Sequence, residues 1–242
     1  KFQATVEPDL TVDPDDILPY LSTHDRNSTS TTPRRTSSQG QGQSLALRLL
    51  HDIGRSDGTN VAQRIRQEAQ SVVSWARESG RLIDPRRFGR IVSRYPQLGG
   101  QSEHTVFHIQ SRHRVIKFTL PPNFGAQGEA ISYLENLEAA NQVFGDNIHL
   151  HGVLETKRGP ALVISQPYVP GVPPTPEEVA TWFEANGYYF SGYNRWKNDA
   201  LGTEVADSHV GNFIKTADGE LVPIDLQILT IGNIFSAIPD PR

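Results

Sequence analysis

Apolar and polar positions divide this chain into a helical part and a mixed part. Between residues 45 and 96 the apolar residues return at the helical period. Leu45, Leu49, Leu50 and Ile53 make one stripe, ended by Gly54. Val61, Ile65, Ala69, Val72, Val73 and Ala76 make a second, opened by Thr59 or Asn60 as a cap and closed by Gly80. Asp84-Pro85 is a cap with proline at the first helical position, and Phe88, Ile91, Val92 and Tyr95 then share a face. The whole of 45–96 is expected to be helical.

The period shifts after residue 98. Residues 105–109 alternate as a strand, and 114–119 form a second strand with Lys117 inside it. Residues 127–144 return to helical spacing through Ala130, Ile131, Leu134, Leu137 and Phe144, with Gly145-Asp146 as the stop. Strands are expected at 148–155 and 161–165, joined by a turn at Lys157 to Gly159. Thr175-Pro176-Glu177-Glu178 is a capping box that opens a helix with Val179, Trp182 and Phe183 inward and Gly187 as its stop. An aromatic stretch follows, Tyr188, Tyr189, Phe190, Tyr193 and Trp196, expected to pack a small lower lobe. Residues 213–215 and 221–224 flank Asp218-Gly219 as a hairpin.

Composition adds an arm and removes several function classes. Residues 1–44 are rich in Ser, Thr, Gln, Gly and Pro with little periodicity, and are expected to be a flexible arm. Thr36, Ser37 and Ser38 beside Arg34-Arg35 are possible phosphoacceptors there; an ordinary Ser/Thr-rich linker is the simpler reading. No apolar run is long enough to span a membrane, there is no signal-peptide pattern, and there is no cysteine for a disulfide or thiolate site, so a cytoplasmic protein is expected. The net charge of -4 argues against a nucleic-acid partner. Arg64, Arg66, Arg77, Arg81, Arg86, Arg87, Arg90 and Arg94 are interrupted by Glu68, Glu78 and Asp84, which suits solvated helix faces better than a DNA-binding adaptor.

The candidate chemistry lies in residues 205–226, VADSHVGNFIKTADGELVPIDL. Asp207-x-His209-x-Gly211-Asn212 precedes the hairpin and Ile224-Asp225 follows it. A hairpin of that length returns the chain to its starting edge, which brings Asp225 toward Asn212 and Asp207. Two carboxylates and a carboxamide suit Mg2+, which takes few protein oxygens and fills its shell with water and substrate phosphate. A carboxylate off the metal can orient a hydroxyl nucleophile, and together these are the parts of phosphoryl transfer. Upstream, Gly99-Gly100 leads into the first strand, where small residues let backbone N–H groups approach phosphate oxygens. Lys117, fixed in register on the next strand, can neutralise those phosphates. Taken singly, each feature is ordinary: a turn, a glycine pair, a solvent-facing lysine. Their order and spacing carry the reading.

Asp207 and Asn212 resemble the Asp-x-x-x-x-Asn catalytic loop of protein kinases, and D-S-H-V-G-N is similar to the loop of aminoglycoside kinases. Trp75-Ala76-Arg77, residues 99–104, Asn141, Phe144-Gly145-Asp146, Ser165-Gln166-Pro167, residues 207–212 and 223–226 together resemble the serine/threonine/tyrosine kinase domain of polyvalent proteins from phages and other mobile elements. The resemblance spans roughly residues 71–228. It implies an α+β, minimal two-lobed protein-kinase-like fold behind an N-terminal helical extension. The parts would be an arm (1–44), the extension (45–97), a nucleotide-binding N-lobe (98–169) and a reduced C-lobe (170–242).

The resemblance implies ATP and Mg2+ as cofactors and an unidentified protein or small molecule as acceptor. It implies that Gly99 and Gly100 cover the phosphates and that Lys117 holds them, anchored by Glu135 or Glu129, with Glu138 a weaker choice. Gln166 and Tyr168 would stand at the adenine-binding hinge. Asp207 would be the base, Asn212 and Asp225 the metal ligands, and His209 a support for the loop. Two departures stand out. Asp225-Leu226-Gln227 replaces Asp-Phe-Gly, and the short segment after it holds no Ala-Pro-Glu. Both point to a minimal or unregulated kinase, or to one acting on a small molecule or on itself, unless the chain continues in a longer protein. A nucleotide-binding pseudokinase and an AMP-transferring module are the alternatives.

Overall fold

The computed structural model describes residues 44–53, 60–98, 103–125 and 128–230. The arm and its Thr36, Ser37 and Ser38, the glycine pair Gly99-Gly100, and the tail beyond residue 230 lie outside the described residues.

Three helices lie within residues 45–92. Helix α1 is Leu45–Ile53 and α2 is Val61–Glu78, the latter capped by the Asn60 side chain, which accepts from the Gln63 N–H. Helix α3 is Pro85–Val92, capped by Asp84. The stretch expected to be helical throughout also holds a short strand, β1 (Leu82–Ile83). Two residues are too few to show a period, and only the parallel partner reveals the strand: Leu82 pairs with Val153 and Ile83 with Leu154. That approach needs glycine at 152, where an added Cβ would stand 2.2 Å from the Arg81 carbonyl oxygen.

The main sheet has five strands in the order β1-β4-β5-β3-β2. Its other members are β2 (His104–Ile109), β3 (Arg114–Thr119), β4 (His149–Thr156) and β5 (Gly159–Pro167). Helix α4 (Ala130–Val143) connects β3 to β4. Alternation along β5 splits the core in two. Leu162 and Ile164 face Leu49, Val72, Trp75, Leu134 and Leu137 of α1, α2 and α4. Ala161 and Val163 face the opposite way, with Phe88 and Val92 of α3 and Ile116 of β3.

Below this lobe, α5 (Pro176–Ala185) carries the expected capping box. A second sheet has the order β11-β8-β7-β6, from β6 (Tyr189–Gly192), β7 (Arg195–Asn198), β8 (Thr203–Ala206) and β11 (Gln227–Thr230). Strands β9 (Phe213–Lys215) and β10 (Leu221–Pro223) form the expected hairpin. The aromatic stretch thus folds as strands that its sequence did not announce, because four-residue strands show too little alternation. It does pack the lower core: Phe183 stacks on Trp196 at 4.8 Å, with Phe213 and Tyr188 edge-on to the same ring. The architecture is α+β in two lobes. No described helix is long and apolar enough to cross a membrane.

Candidate active site

Two neighbouring strands bring the loop and the distant aspartate together. Strands β8 and β11 are antiparallel with Ala206 opposite Gln227, so Asp207 leaves the sheet beside the segment that carries Asp225. Asp207 takes a φ of 57°, in the left-handed region that a residue with a Cβ rarely occupies. Its neighbours hold it there. The Asn212 side-chain amide donates to the Asp207 carbonyl at 2.7 Å and to its carboxylate Oδ2 at 3.0 Å. With both N–H groups of Asn212 spent on Asp207, its Oδ1 is the atom suited to a cation. The Ile224 N–H donates to the Asn212 carbonyl at 2.9 Å, which sets Asp225 next to Asn212.

His209 has a defined tautomer. Its Nδ1 accepts from the Gly211 N–H at 3.0 Å, so the neutral ring carries its proton on Nε2, 3.5 Å from Asp207 Oδ1. The imidazole therefore steadies the aspartate from the side opposite Asn212.

Lys117 lies in the middle of β3 and is buried. Its Nζ stands 3.3 Å from Asp225 Oδ1 and 3.4 Å from the Ile224 carbonyl. Gln166, on β5, donates to that same carbonyl at 2.9 Å. Asn136 on α4 donates to the Leu226 carbonyl at 3.4 Å and accepts from the Ile228 N–H. Two strands and a helix of the upper lobe thereby grip the backbone on both sides of Asp225. Leu226 is buried in the lower core, and Gln227 begins β11 at once. Where Asp-Phe-Gly would lead into a loop, this chain enters a sheet.

Asn136, Gln166, Asp207, His209, Asn212 and Asp225 line a cavity of about 270 Å³, together with Glu103, His104, Tyr133 and Asp146. His104 and Tyr133 meet at 2.9 Å. Burial drives the His104 pKa down to about 4 and pushes the Tyr133 hydroxyl up. Burial raises the Asp146 carboxyl to about 7, with the Lys117 charge opposing the shift and Asp225 adding to it.

Other expected groups sit elsewhere. Glu129 occupies the N-cap position of α4 with extended backbone and pairs with Arg64 of α2 at 2.7 Å, so it does not anchor Lys117. Glu138 is buried against α1, where the Ser44 hydroxyl donates to it. Glu135 is not among the residues that line the cavity; α4 presents Tyr133, Asn136, Leu137 and Ala140 to it, a face at helical spacing without a carboxylate. The Tyr168 N–H donates to the His113 carbonyl at 2.8 Å and its ring stacks on His108, so that N–H does not face a ligand. Gln166 lines the cavity through its side chain. Gly99 and Gly100 are outside the described residues, but the chain before them pairs with β2: the Leu98 N–H donates to Val106 at 2.9 Å and Gln97 bridges Phe107.

Sequence reasoning passed over Asn136 and the His104–Tyr133 pair, and it quoted Asp146 only within a motif. The available signal was a polar residue, Asn136, one turn from Tyr133 on an otherwise apolar face.

Among the described residues no three His, Cys, Asp or Glu side chains are grouped to hold a metal. The donor set at this site is one carboxamide oxygen and one carboxylate, Asn212 and Asp225. Two hard oxygens fit Mg2+ bound mostly by water and phosphate, and do not fit a resident metal caged by protein.

A family model described as a serine/threonine/tyrosine kinase found in polyvalent proteins matches residues 65–231, most of the chain. No curated protein matches the sequence.

Proposed function

We propose, since the chain belongs to the family of serine/threonine/tyrosine kinases found in polyvalent proteins, that it moves the γ-phosphoryl group of Mg-ATP to a hydroxyl of a protein, itself included, or of a small molecule. The supporting observation is that Asp207, Asn212 and Asp225 line one cavity while Lys117, from the distant strand β3, reaches the Asp225 carboxylate at 3.3 Å. Bound Mg-ATP would supply the transferable phosphoryl group and a divalent charge across its phosphates.

The chain's own groups then have distinct roles. Asn212 Oδ1 and the Asp225 carboxylate hold the metal. Lys117 brings an ammonium to the phosphates from a buried strand position, where a charge interacts more strongly than in water. Asp207 accepts the proton of the attacking hydroxyl at its carboxylate. Asn212 and His209 fix the direction of that carboxylate from two sides.

The test is incubation with γ-labelled ATP and mapping of any labelled residue by mass spectrometry. The protein should become labelled, or label an added acceptor, and Asp207→Ala should reduce the rate by about 10²–10⁴-fold. Asp207→Ala should still be stabilised thermally by Mg-ATP, because Asn212, Asp225 and Lys117 remain. Thermal stabilisation of the native protein without transfer would indicate a nucleotide-binding module, and an added AMP would indicate nucleotidyl transfer.

A further inference from the structure

Asp207 stands at one end of the lower sheet, and the outer edge of that sheet is uncovered. Strands β7 and β8 pair with Trp196 opposite Val205, and two further steps along that register set Asn194 opposite Asp207. The Ser208 N–H donates to the Asn194 carbonyl at 3.3 Å and fixes the approach. Tyr193-Asn194 is the two-residue turn between β6 and β7, with Gly192 opposite Arg195 and Asn194 at a φ of 48°. The turn therefore lies beside the backbone of Asp207. Its Tyr193 is 89% exposed.

Among the described residues, β6 pairs with β7 alone. A free edge is ordinarily guarded by charge or proline, because its unpaired N–H and C=O groups accept another strand. Residues 187–194, GYYFSGYN, hold neither. One face of the sheet carries Val205, Trp196 and Phe190 in register across β8, β7 and β6. The first two are buried and Phe190 is 62% exposed, its ring edge-on to Trp196 at 5.5 Å. The apolar row of the lower core thus runs out into solvent at the free edge, next to the turn that borders Asp207.

Such an edge suits an extended polypeptide, which pairs backbone to backbone and seats its side chains against the rings. A small hydroxyl compound has no strand to add. Charge narrows the partner. Glu103, Asp146, Asp207 and Asp225 line the cavity, and no lysine or arginine does. Mg-ATP is itself net negative, so a base beside the acceptor hydroxyl is favoured and an acid is repelled.

We propose that the free edge of β6, with Phe190 and Tyr193, docks the acceptor, an extended polypeptide that is apolar where it pairs and basic beside its hydroxyl. The inference rests on the phosphotransferase reading and names the acceptor class for that site. An added strand lies three strand spacings from β8, about 14 Å, so the hydroxyl stands about four to five residues beyond the paired stretch. There it gives its proton to the Asp207 carboxylate as its oxygen bonds the γ-phosphorus and ADP leaves. Phe190 and Tyr193 are positioning residues and touch neither the phosphates nor the metal.

The test uses the full chain, Mg-ATP and a degenerate peptide library with one serine, threonine or tyrosine fixed in each peptide. The native protein should select β-branched or aromatic residues about four to five positions from the hydroxyl. It should select Lys or Arg beside the hydroxyl and reject Asp and Glu there. In Phe190→Ser and in Tyr193→Ser the distant apolar selection should vanish while the preference for a base stays. For the best peptide, KM should rise about tenfold in either variant, with kcat and thermal stabilisation by Mg-ATP as in the native protein. Methylating alternate backbone nitrogens of the apolar stretch should raise KM of the native protein by a similar factor, and this arm needs no protein variant. Labelled peptides without apolar selection at that distance, or an unchanged KM, overturn the docking assignment and leave the phosphotransferase reading standing. Label on added glycerol or on the chain itself, with none on peptides, does the same. So does a solution dimer that either substitution converts to monomers, since a second copy would then occupy the edge. No transfer to any acceptor overturns the phosphotransferase reading, and the assignment with it.

Discussion

Single residues at this site are held in states they would not choose in water. Asp207 occupies the left-handed region, and His104 is kept neutral by burial, its pKa lowered to about 4. Asp146 holds a proton to about pH 7 because burial disfavours its charge. Its sign for stability follows from linkage. Below the ordinary carboxylate range the group is protonated both folded and unfolded, and it costs nothing. As pH rises toward about 7, the unfolded chain has released the proton that the folded chain still keeps, so folding stability falls through that window. Asp146→Asn lacks this cost. Its melting temperature without ligand should match the native protein near pH 4 and exceed it increasingly up to pH 8. Thermal denaturation across that range checks this, and a constant difference would contradict it. The buried histidines act in the opposite direction at lower pH, but equally in both proteins.

At the scale of elements, the junction between the lobes depends on close backbone approach. After β5 the chain passes Gly171, and Val172 bridges Lys215 of β9. The Val172 N–H donates to the Lys215 carbonyl at 3.0 Å, and the return bond is 2.8 Å. A Cβ at Gly171 would meet the Lys215 carbonyl oxygen at 2.2 Å, and a backbone atom cannot swing aside. Gly171→Ala should therefore cost about 1–3 kcal/mol in urea denaturation. Gly89 in α3 is the contrast, since an added Cβ there meets nothing within 4 Å. Gly89→Ala should gain about 0.5–1 kcal/mol from reduced freedom of the unfolded chain. Helix α4 shows a related dependence. Its first free N–H groups are met by Glu68 of α2, which accepts from Ile131 at 3.3 Å, while Asn136 ties its middle to the backbone after Asp225.

Across the whole molecule, the helical extension and the upper lobe share one core. Leu49 of α1 is fully buried among Val72, Trp75, Leu134, Leu137 and Leu162, so the extension covers the helix that borders the active site. The Arg64–Glu129 pair and the Ser44–Glu138 hydrogen bond fasten the same helix by polar contacts. Leu49→Ala should cost about 2–5 kcal/mol, measured by chemical denaturation. It should also weaken nucleotide-dependent stabilisation, because α4 holds the backbone just after Asp225, at Leu226 and Ile228, through Asn136. A loss of stability with unchanged ligand response would show that the extension supports the fold without acting on the site.

Local order along the chain was enough to determine the caps at Asp84 and Thr175, to narrow a third to Thr59 or Asn60, and to give the two-period pattern and the hairpin that returns Asp225 to Asn212. Each of these involves neighbours within about twenty residues, where spacing alone dictates geometry. Tertiary packing decided the rest. It turned the aromatic stretch into strands, took Glu129 to Arg64, and put Asp146 inside the cavity. Which partner a charged side chain meets depends on how helices rotate and turns close over distances that no spacing encodes. A glutamate on α4 reads the same in sequence whichever face it occupies; only the packed helix shows that the cavity face holds Tyr133 and Asn136.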